Sequence, residues 1–158
     1  MQILHPIPPA HLPAAAALWR AHFGHGGWPG RVSAAHGVVA VDGQGTVQGV
    51  MGLRDATGGF AQGTGRWPGW LFRAAPATAD LVIDGLAVAR RRGGTGRALV
   101  AAGGSIAEAA GRPGLRAEVR ARNRDALAFY EAVGFAHEGR GRYGLPWWGQ
   151  VHLLHRAA

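Results

Sequence analysis

The sequence of 158 residues contains neither cysteine nor lysine. Without cysteine the chain can form no disulfide, no thiolate nucleophile and no zinc–thiolate site. Without lysine it has no Walker A phosphate loop, because that loop requires Gly-Lys followed by Ser or Thr.

Long apolar runs are also missing. The sequence has no stretch of about 18 apolar residues, so we expect no membrane span. The first six residues, Met1 to Pro6, lack the basic lead and apolar stretch that are typical of a secretory signal. With 47% hydrophobic residues and a length near that of a common domain, the sequence predicts one globular domain over residues 1–158, in the cytoplasm.

The charge is distributed unevenly along the chain. The net charge is +8, and all 17 basic residues are arginine. Residues 1–89 contain five arginines and four acidic residues (+1), whereas residues 90–158 contain twelve arginines and five acidic residues (+7). This excess indicates an anionic ligand bound by the second half. A GC-rich coding sequence would also favour arginine, and that explanation stays open.

Hydrophobic periodicity predicts an alternation of strands and helices. The expected helices cover residues 12–23, 95–110 and 124–133. The expected strands lie at Ile3, 37–42, 46–53, 81–88, 115–120, after Phe135 and at 150–155. This order predicts a mixed sheet with helices packed on it.

Residues 54–79 show no regular pattern and are rich in glycine. Because long irregular segments of compact domains are often functional, Trp67, Trp70 and Phe72 are candidates for the wall of a substrate pocket. The alternative is that both tryptophans cap the core. The histidine pairs His22–His25 and His152–His155 lack carboxylates at ligand spacing, so the sequence predicts no metal site.

The first informative motif is a glycine-rich turn that connects a strand ending at Val88 to a helix. Glycine allows a close approach of the backbone to a ligand, and a helix N-terminus presents free N–H groups and a positive dipole end. Arginines add charge for a phosphate. A Rossmann fingerprint would need a third small residue where Leu99 stands. The predicted phosphate-binding residues are Arg91, Arg92, Gly93, Gly94, Thr95, Gly96 and Arg97.

The second motif is Asn123-Arg-Asp-Ala-Leu-Ala-Phe-Tyr-Glu-Ala-Val-Gly-Phe135. Its apolar residues lie on one helical face, Asp125 is placed near the helix start, and Gly134 is placed as a C-terminal cap. Together, the glycine-rich turn and this motif resemble the GNAT (GCN5-related N-acetyltransferase) superfamily over residues 80–136.

The resemblance implies an α/β acyl-CoA N-acyltransferase fold, with a mostly antiparallel central sheet, a splayed parallel pair of strands and flanking helices. It implies acetyl-CoA as the acyl donor, and a small-molecule or peptide amine as the acceptor that attacks the thioester directly. By this resemblance, Leu86, Ala87 and Val88 bind the pantetheine arm, and an N–H near Val88 polarises the thioester carbonyl. The turn would hold the pyrophosphate, and Asn123 would contact the pantetheine arm. Tyr130 would contact the cofactor and protonate the departing thiolate.

The amine must also lose a proton. Asp80 and Asp84 lie on the same face of the predicted strand, because side chains alternate along it, and either is a candidate base, directly or through water. With the tryptophans nearby they would form an aromatic, acidic pocket for a cationic amine. Arg92 departs from the pattern, since this position is frequently glycine in the family.

Other functions remain open at this point. The chain could keep the fold as a non-catalytic acyl-CoA-binding or regulatory module. It could also acetylate charged tRNA, although the arginines of the turn account for much of the charge without a nucleic acid. Trp147 and Trp148, with Tyr143 nearby, are candidates for a homodimer contact.

Overall fold

The computed structural model describes residues 1–24, 31–62 and 68–158. In these ranges the helices are α1 (Leu12–Phe23), α2 (Thr95–Ala109) and α3 (Arg124–Ala132). The strands are β1 (Gln2–Leu4), β2 (Arg31–Val32), β3 (Gly37–Val41), β4 (Val47–Asp55), β5 (Gly58–Gly59), β6 (Ala61–Gln62), β7 (Leu81–Val88), β8 (Gly114–Arg120), β9 (Ala136–Gly141) and β10 (Val151–Ala157). No helix in the described ranges is long and apolar enough to cross a membrane.

The central sheet has the strand order β1-β3-β4-β7-β8-β10-β9, and β5 pairs with β4 beside this path. Its pairs are antiparallel except for β7 and β8, which are parallel. A separate short pair joins β2 to β6. The predicted mixed, mostly antiparallel sheet with one parallel pair is confirmed.

Helices α2 and α3 cover one face of the sheet. Leu99 and Val100 of α2 are fully buried there, in a cluster with Met51 and Leu115. A Cβ atom added at Gly103 would lie only 2.8 Å from the Cε of Met51, so this glycine lets α2 approach the sheet closely. A glycine in a helix costs about 0.5–1 kcal/mol relative to alanine, and the close packing offsets that cost.

Helix α1 covers part of the opposite face, over β4 and β7. Its Trp19 packs edge-on against Phe60, with ring centroids 4.8 Å apart. Phe60 is fully buried, and its backbone bonds to Leu53 and Ser33. The segment 54–79, predicted to be irregular, therefore contributes β5, β6 and a core phenylalanine.

The part of this second face that β8 forms is polar. Leu115, Ala117 and Val119 of β8 belong to the core under α2 and α3. Because side chains alternate along a strand, Arg116, Glu118 and Arg120 point to the other face. A polar sheet surface beside the end of α1 is where a polar ligand can be bound.

The predicted elements match the structure closely. The strand predicted at 81–88 is confirmed, and the helices predicted at 95–110 and 124–133 each end one residue earlier. The helix predicted at 12–23 is also confirmed. Trp67 and His25 lie outside the described residues, and the single-domain organisation stays a prediction.

Candidate functional site

A cleft opens where the two parallel strands separate. Pairing between β7 and β8 is limited to Leu81–Ile83 opposite Leu115–Ala117, although both strands continue further. On its other side β7 pairs with β4, and there Gly52 faces Gly85 while Leu53 faces Ile83. Asp84 is therefore the extra residue of a β-bulge. Because a bulge bends its strand, this one accounts for the divergence of β7 from β8.

At the end of the cleft, the glycine-rich turn leads into α2. Gly94 is the N-cap residue, with φ +77°, and the first helical bond runs from the N–H of Ala98 to the carbonyl of Gly94. The N–H groups of Thr95, Gly96 and Arg97 precede that bond and have no partner within their own helix. Three adjacent N–H donors at a helix N-terminus are suited to an anion.

The turn also leaves room for a ligand. A Cβ atom added at Gly94 would meet nothing within 4 Å, and one added at Gly93 would meet nothing closer than 4.0 Å. Arg92 is the only described non-glycine residue with positive φ, at +65°. The arginine side chains of the turn are exposed. The residues therefore fit a diphosphate: backbone donors, open space and exposed cationic side chains lie together.

The second motif packs directly against the turn. A Cβ atom at Gly96 would lie 3.1 Å from the ring of Phe129 in α3, and Arg91 donates to Asp125 at 3.0 Å. Asn123 is the N-cap of α3, because its side-chain oxygen accepts from the N–H of Ala126 at 3.2 Å. The side-chain NH2 group of Asn123 remains available to a ligand, because the cap uses only the side-chain oxygen.

Tyr130 lies on the buried side of α3. Its ring packs edge-on against Phe129 and Phe135, with centroids 5.3 and 5.0 Å away, and the residue is 6% exposed. Burial raises the pKa of its phenol well above the usual value. Tyr130 therefore keeps its proton at any physiological pH, as a general acid requires.

A cavity of about 290 Å³ lies on the sheet face opposite α2 and α3. It is placed where β7 and β8 diverge, because Ile83, Asp84 and Glu118 line it. Its floor comes from strands and its walls from two loops. The lining residues are Arg54, Phe72, Arg73, Ala75, Ile83, Asp84, Glu118, Arg120, Tyr143, Gly144, Trp148 and Val151.

Two carboxylates and one arginine form the charged floor of this cavity. Arg54 donates to Asp84 at 2.8 Å and to Glu118 at 3.4 Å, so it bridges β4, β7 and β8. Burial raises the pKa of Asp84, and the hydrogen bond and charge of Arg54 oppose that rise only in part. A carboxyl group with a raised pKa next to a cavity is suited to accept a proton.

Glu118 is a site residue that the sequence reasoning missed. The signal was present, because residues 115–120 alternate apolar and charged side chains. A strand at the centre of a sheet that carries three charges on one face indicates a polar site.

Asp80 is placed differently from Asp84. It is 6% exposed, its Oδ2 atom lies 3.0 Å from the Nδ1 of His155 and it accepts a bond from Thr78. Asp80 is absent from the lining of the cavity. Its bonds tie the start of β7 to β10.

The aromatic residues predicted to line a substrate pocket divide into two groups. Phe72 does line the cavity, together with Trp148 and Tyr143. Trp70 is 82% exposed, so the alternative in which it caps the core is wrong. Trp147 is 48% exposed, and its role in a homodimer stays a prediction.

Comparisons with known proteins identify the fold. No family model matches the sequence, and no curated protein matches it. A GCN5-related N-acetyltransferase from Kribbella flavida is 19% identical, with 99% of this chain and 97% of that chain covered and a TM-score of 0.64. NAA60 of Arabidopsis thaliana, solved in complex with acetyl-CoA, is 18% identical over 99% and 100%, with a TM-score of 0.62.

A nourseothricin acetyltransferase is 23% identical, with a TM-score of 0.52. The alignment covers 75% of this chain, which spans 62% of that protein's length. At these identities the comparisons establish an architecture common to several acetyltransferases.

Proposed function

We propose that this chain, which has the fold of GCN5-related N-acetyltransferases, transfers an acetyl group from acetyl-CoA to a primary amine. One observation carries the proposal. β7 leads from the carboxylate-lined cavity at Asp84 to the glycine-rich turn that follows Val88, and beyond Ile83 it has no pairing with β8. A donor held by its phosphates at the turn would present its thioester to an amine in the cavity.

The donor would be held by backbone groups. Beyond Ile83, β7 has no pairing with β8, so Leu86, Ala87 and Val88 border the open cleft and would bind the pantetheine arm. The N–H groups of Thr95, Gly96 and Arg97 would hold the pyrophosphate, aided by Gly93, Gly94 and the charges of Arg91, Arg92 and Arg97. Asn123 would add its amide. When bound, acetyl-CoA supplies an activated acetyl group.

Asp84 is the proposed general base. Its raised pKa makes it a better proton acceptor than an ordinary carboxylate, and it lines the cavity. It would take one proton from the ammonium group of the acceptor, which frees the nitrogen lone pair to attack the thioester carbon. Asp80, the other carboxylate predicted from the sequence, is less suited because it lies outside the cavity lining.

Tyr130 is the proposed general acid. The carbon–sulfur bond breaks as the new carbon–nitrogen bond forms, and the departing thiolate takes the phenolic proton. An N–H near Val88 would polarise the thioester carbonyl, which stabilises the negative charge that develops on its oxygen. The nitrogen also gives up a second proton as the amide forms, and this proton would replace the one that Tyr130 has lost. The net reaction converts the ammonium form of the acceptor and acetyl-CoA into an amide, free CoA thiol and one proton.

The test is an assay of free thiol, with the purified chain, acetyl-CoA and a panel of amines. Thiol release that requires both an amine and the protein supports the proposal. Tight binding of acetyl-CoA without turnover of any amine would instead identify a non-catalytic acyl-CoA-binding module.

A further inference from the structure

The cavity contains two arginines whose charge no carboxylate neutralises. Five charged residues line it, namely Arg54, Arg73, Asp84, Glu118 and Arg120. Arg54 is paired with both carboxylates. Across residues 1–24, 31–62 and 68–158, neither Arg73 nor Arg120 forms a salt bridge. Glu118 also lies 4.0 Å from the Nε of the buried Arg116. The two carboxylates are therefore balanced by two paired arginines, and Arg73 and Arg120 add two unpaired positive charges.

Both arginines are held by their surroundings. The guanidinium carbon of Arg120 lies 5.3 Å from the centroid of the Trp148 ring, and Trp148 in turn packs edge-on against Phe72 at 6.0 Å. The backbone of Arg73 exchanges two hydrogen bonds with Gly144, at 2.9 and 2.7 Å. Their placement at the cavity is thus part of the fold.

The environment of Arg120 is unfavourable for its charge. Partial burial and the nearby Arg122 both lower the pKa of Arg120, burial being the larger effect. An arginine stacked on an aromatic ring, with another cation nearby and no acid paired to it, would gain from an anionic ligand. A carboxylate matches the planar fork of its guanidinium group.

We propose that the acceptor is a small amine that also carries a carboxylate, of which an amino acid is the simplest example. This inference rests on the proposed function. The ammonium group would face Asp84 and Glu118, and the carboxylate would face Arg120 and Arg73. Residues 118 and 120 are about 6.6 Å apart along their strand, a distance that an amine and a carboxylate a few bonds apart can span.

The experiment compares matched ligands on the protein saturated with CoA. Calorimetry measures the binding of each of the common amino acids and of the corresponding amino-acid amide, which keeps the amine and loses the anion. At least one acid is expected to bind at least about tenfold more tightly than its amide, since a charged hydrogen bond is replaced by a neutral one. That preference should disappear in Arg120→Met and weaken in Arg73→Met, while Arg140→Met, on the exposed face of β9, should keep it.

The inference is overturned if no acid is preferred over its amide, or if the preference survives in Arg120→Met. The inference is also overturned if Arg120→Met weakens the binding of CoA itself, because the arginine would then bind the donor and not the acceptor. Failure of the proposed function has a different signature: acids are still preferred by the protein, but acetyl-CoA does not bind or is never consumed.

Discussion

Arg54 of β4 and Asp84, the bulged residue of β7, are joined by a hydrogen bond of 2.8 Å from Nε to Oδ1. The bond lies at the point where β7 leaves β8, and it sets the ionisation of the carboxylate that faces the cavity. Burial alone would favour the protonated acid, and the guanidinium restores part of its acidity. The same contact therefore lies where the two strands diverge and also affects the pKa of the carboxylate in the cavity.

Replacing Arg54 by methionine should move the acidic limb of the pH–activity profile to higher pH. Without the guanidinium the pKa of Asp84 rises further, because the buried carboxylate loses its compensating charge. A base must be deprotonated to act, so kcat/KM should fall more at pH 6 than at pH 8. The measurement is the pH profile of thiol release. Arg140→Met is the control, and an unchanged acidic limb in Arg54→Met would exclude Asp84 as the titrating base.

The two candidate bases can be separated by one pair of variants. Asp84→Asn should lower kcat by about a hundredfold, within the range of a positioned general base, with little change in CoA affinity. Asp80→Asn should leave kcat nearly unchanged, and lower the free energy of unfolding by about 1 kcal/mol through its bonds to His155 and Thr78. The reverse pattern would assign the proton transfer to Asp80.

Tyr130→Phe should lower kcat at least about tenfold, which is below the usual contribution of a general acid. Within the described residues the hydroxyl has no hydrogen-bond partner in the protein, so the variant should fold with at least the stability of the wild type. Because burial raises the pKa of Tyr130, no loss of activity from its ionisation is expected below pH 10. Turnover equal to that of the wild type would show that water donates the proton.

Arg92→Gly should stabilise the chain. Arg92 has φ +65°, a conformation that costs a non-glycine residue roughly 1–2 kcal/mol, whereas glycine gives back about 0.5–1 kcal/mol in unfolded-chain entropy. The expected net gain is about 0.5–1 kcal/mol in urea-induced unfolding. Arg90→Gly removes the same charge at a residue without positive φ, and it should destabilise slightly. If both variants lose stability, the turn is not strained at Arg92.

The fold was predictable where local sequence determines local structure. Strand β7 ends at Val88, α2 begins after Gly94, and α3 ends just before Gly134. Periodicity and capping preferences predict these ends without any knowledge of distant residues. The glycine-rich turn followed by a helix likewise predicts an anion-binding site, because the donors of such a site are backbone N–H groups.

The cavity could not be predicted in the same way. Arg54, Asp84 and Glu118 come from three strands that are remote in sequence, and their meeting depends on strand order and on a bulge. Asp80 and Asp84 look equivalent by alternation, yet one bonds to His155 on β10 and the other faces the cavity. Phe60 was hidden in a glycine-rich segment whose long-range pairing has no local signal.

The central claim is that the turn before α2 binds the phosphates of acetyl-CoA, and calorimetric titration of wild type and Gly93→Glu tests it most directly. A Cβ atom at Gly93 meets no atom closer than 4.0 Å, and the residue lacks positive φ, so the variant should fold normally. We predict one molecule of acetyl-CoA per chain in the wild type, and affinity at least about tenfold lower in Gly93→Glu because a like charge enters the anion site. Gly93→Ala should bind nearly as well as the wild type. Absence of binding to the wild type, or equal affinity in the glutamate variant, would contradict the account.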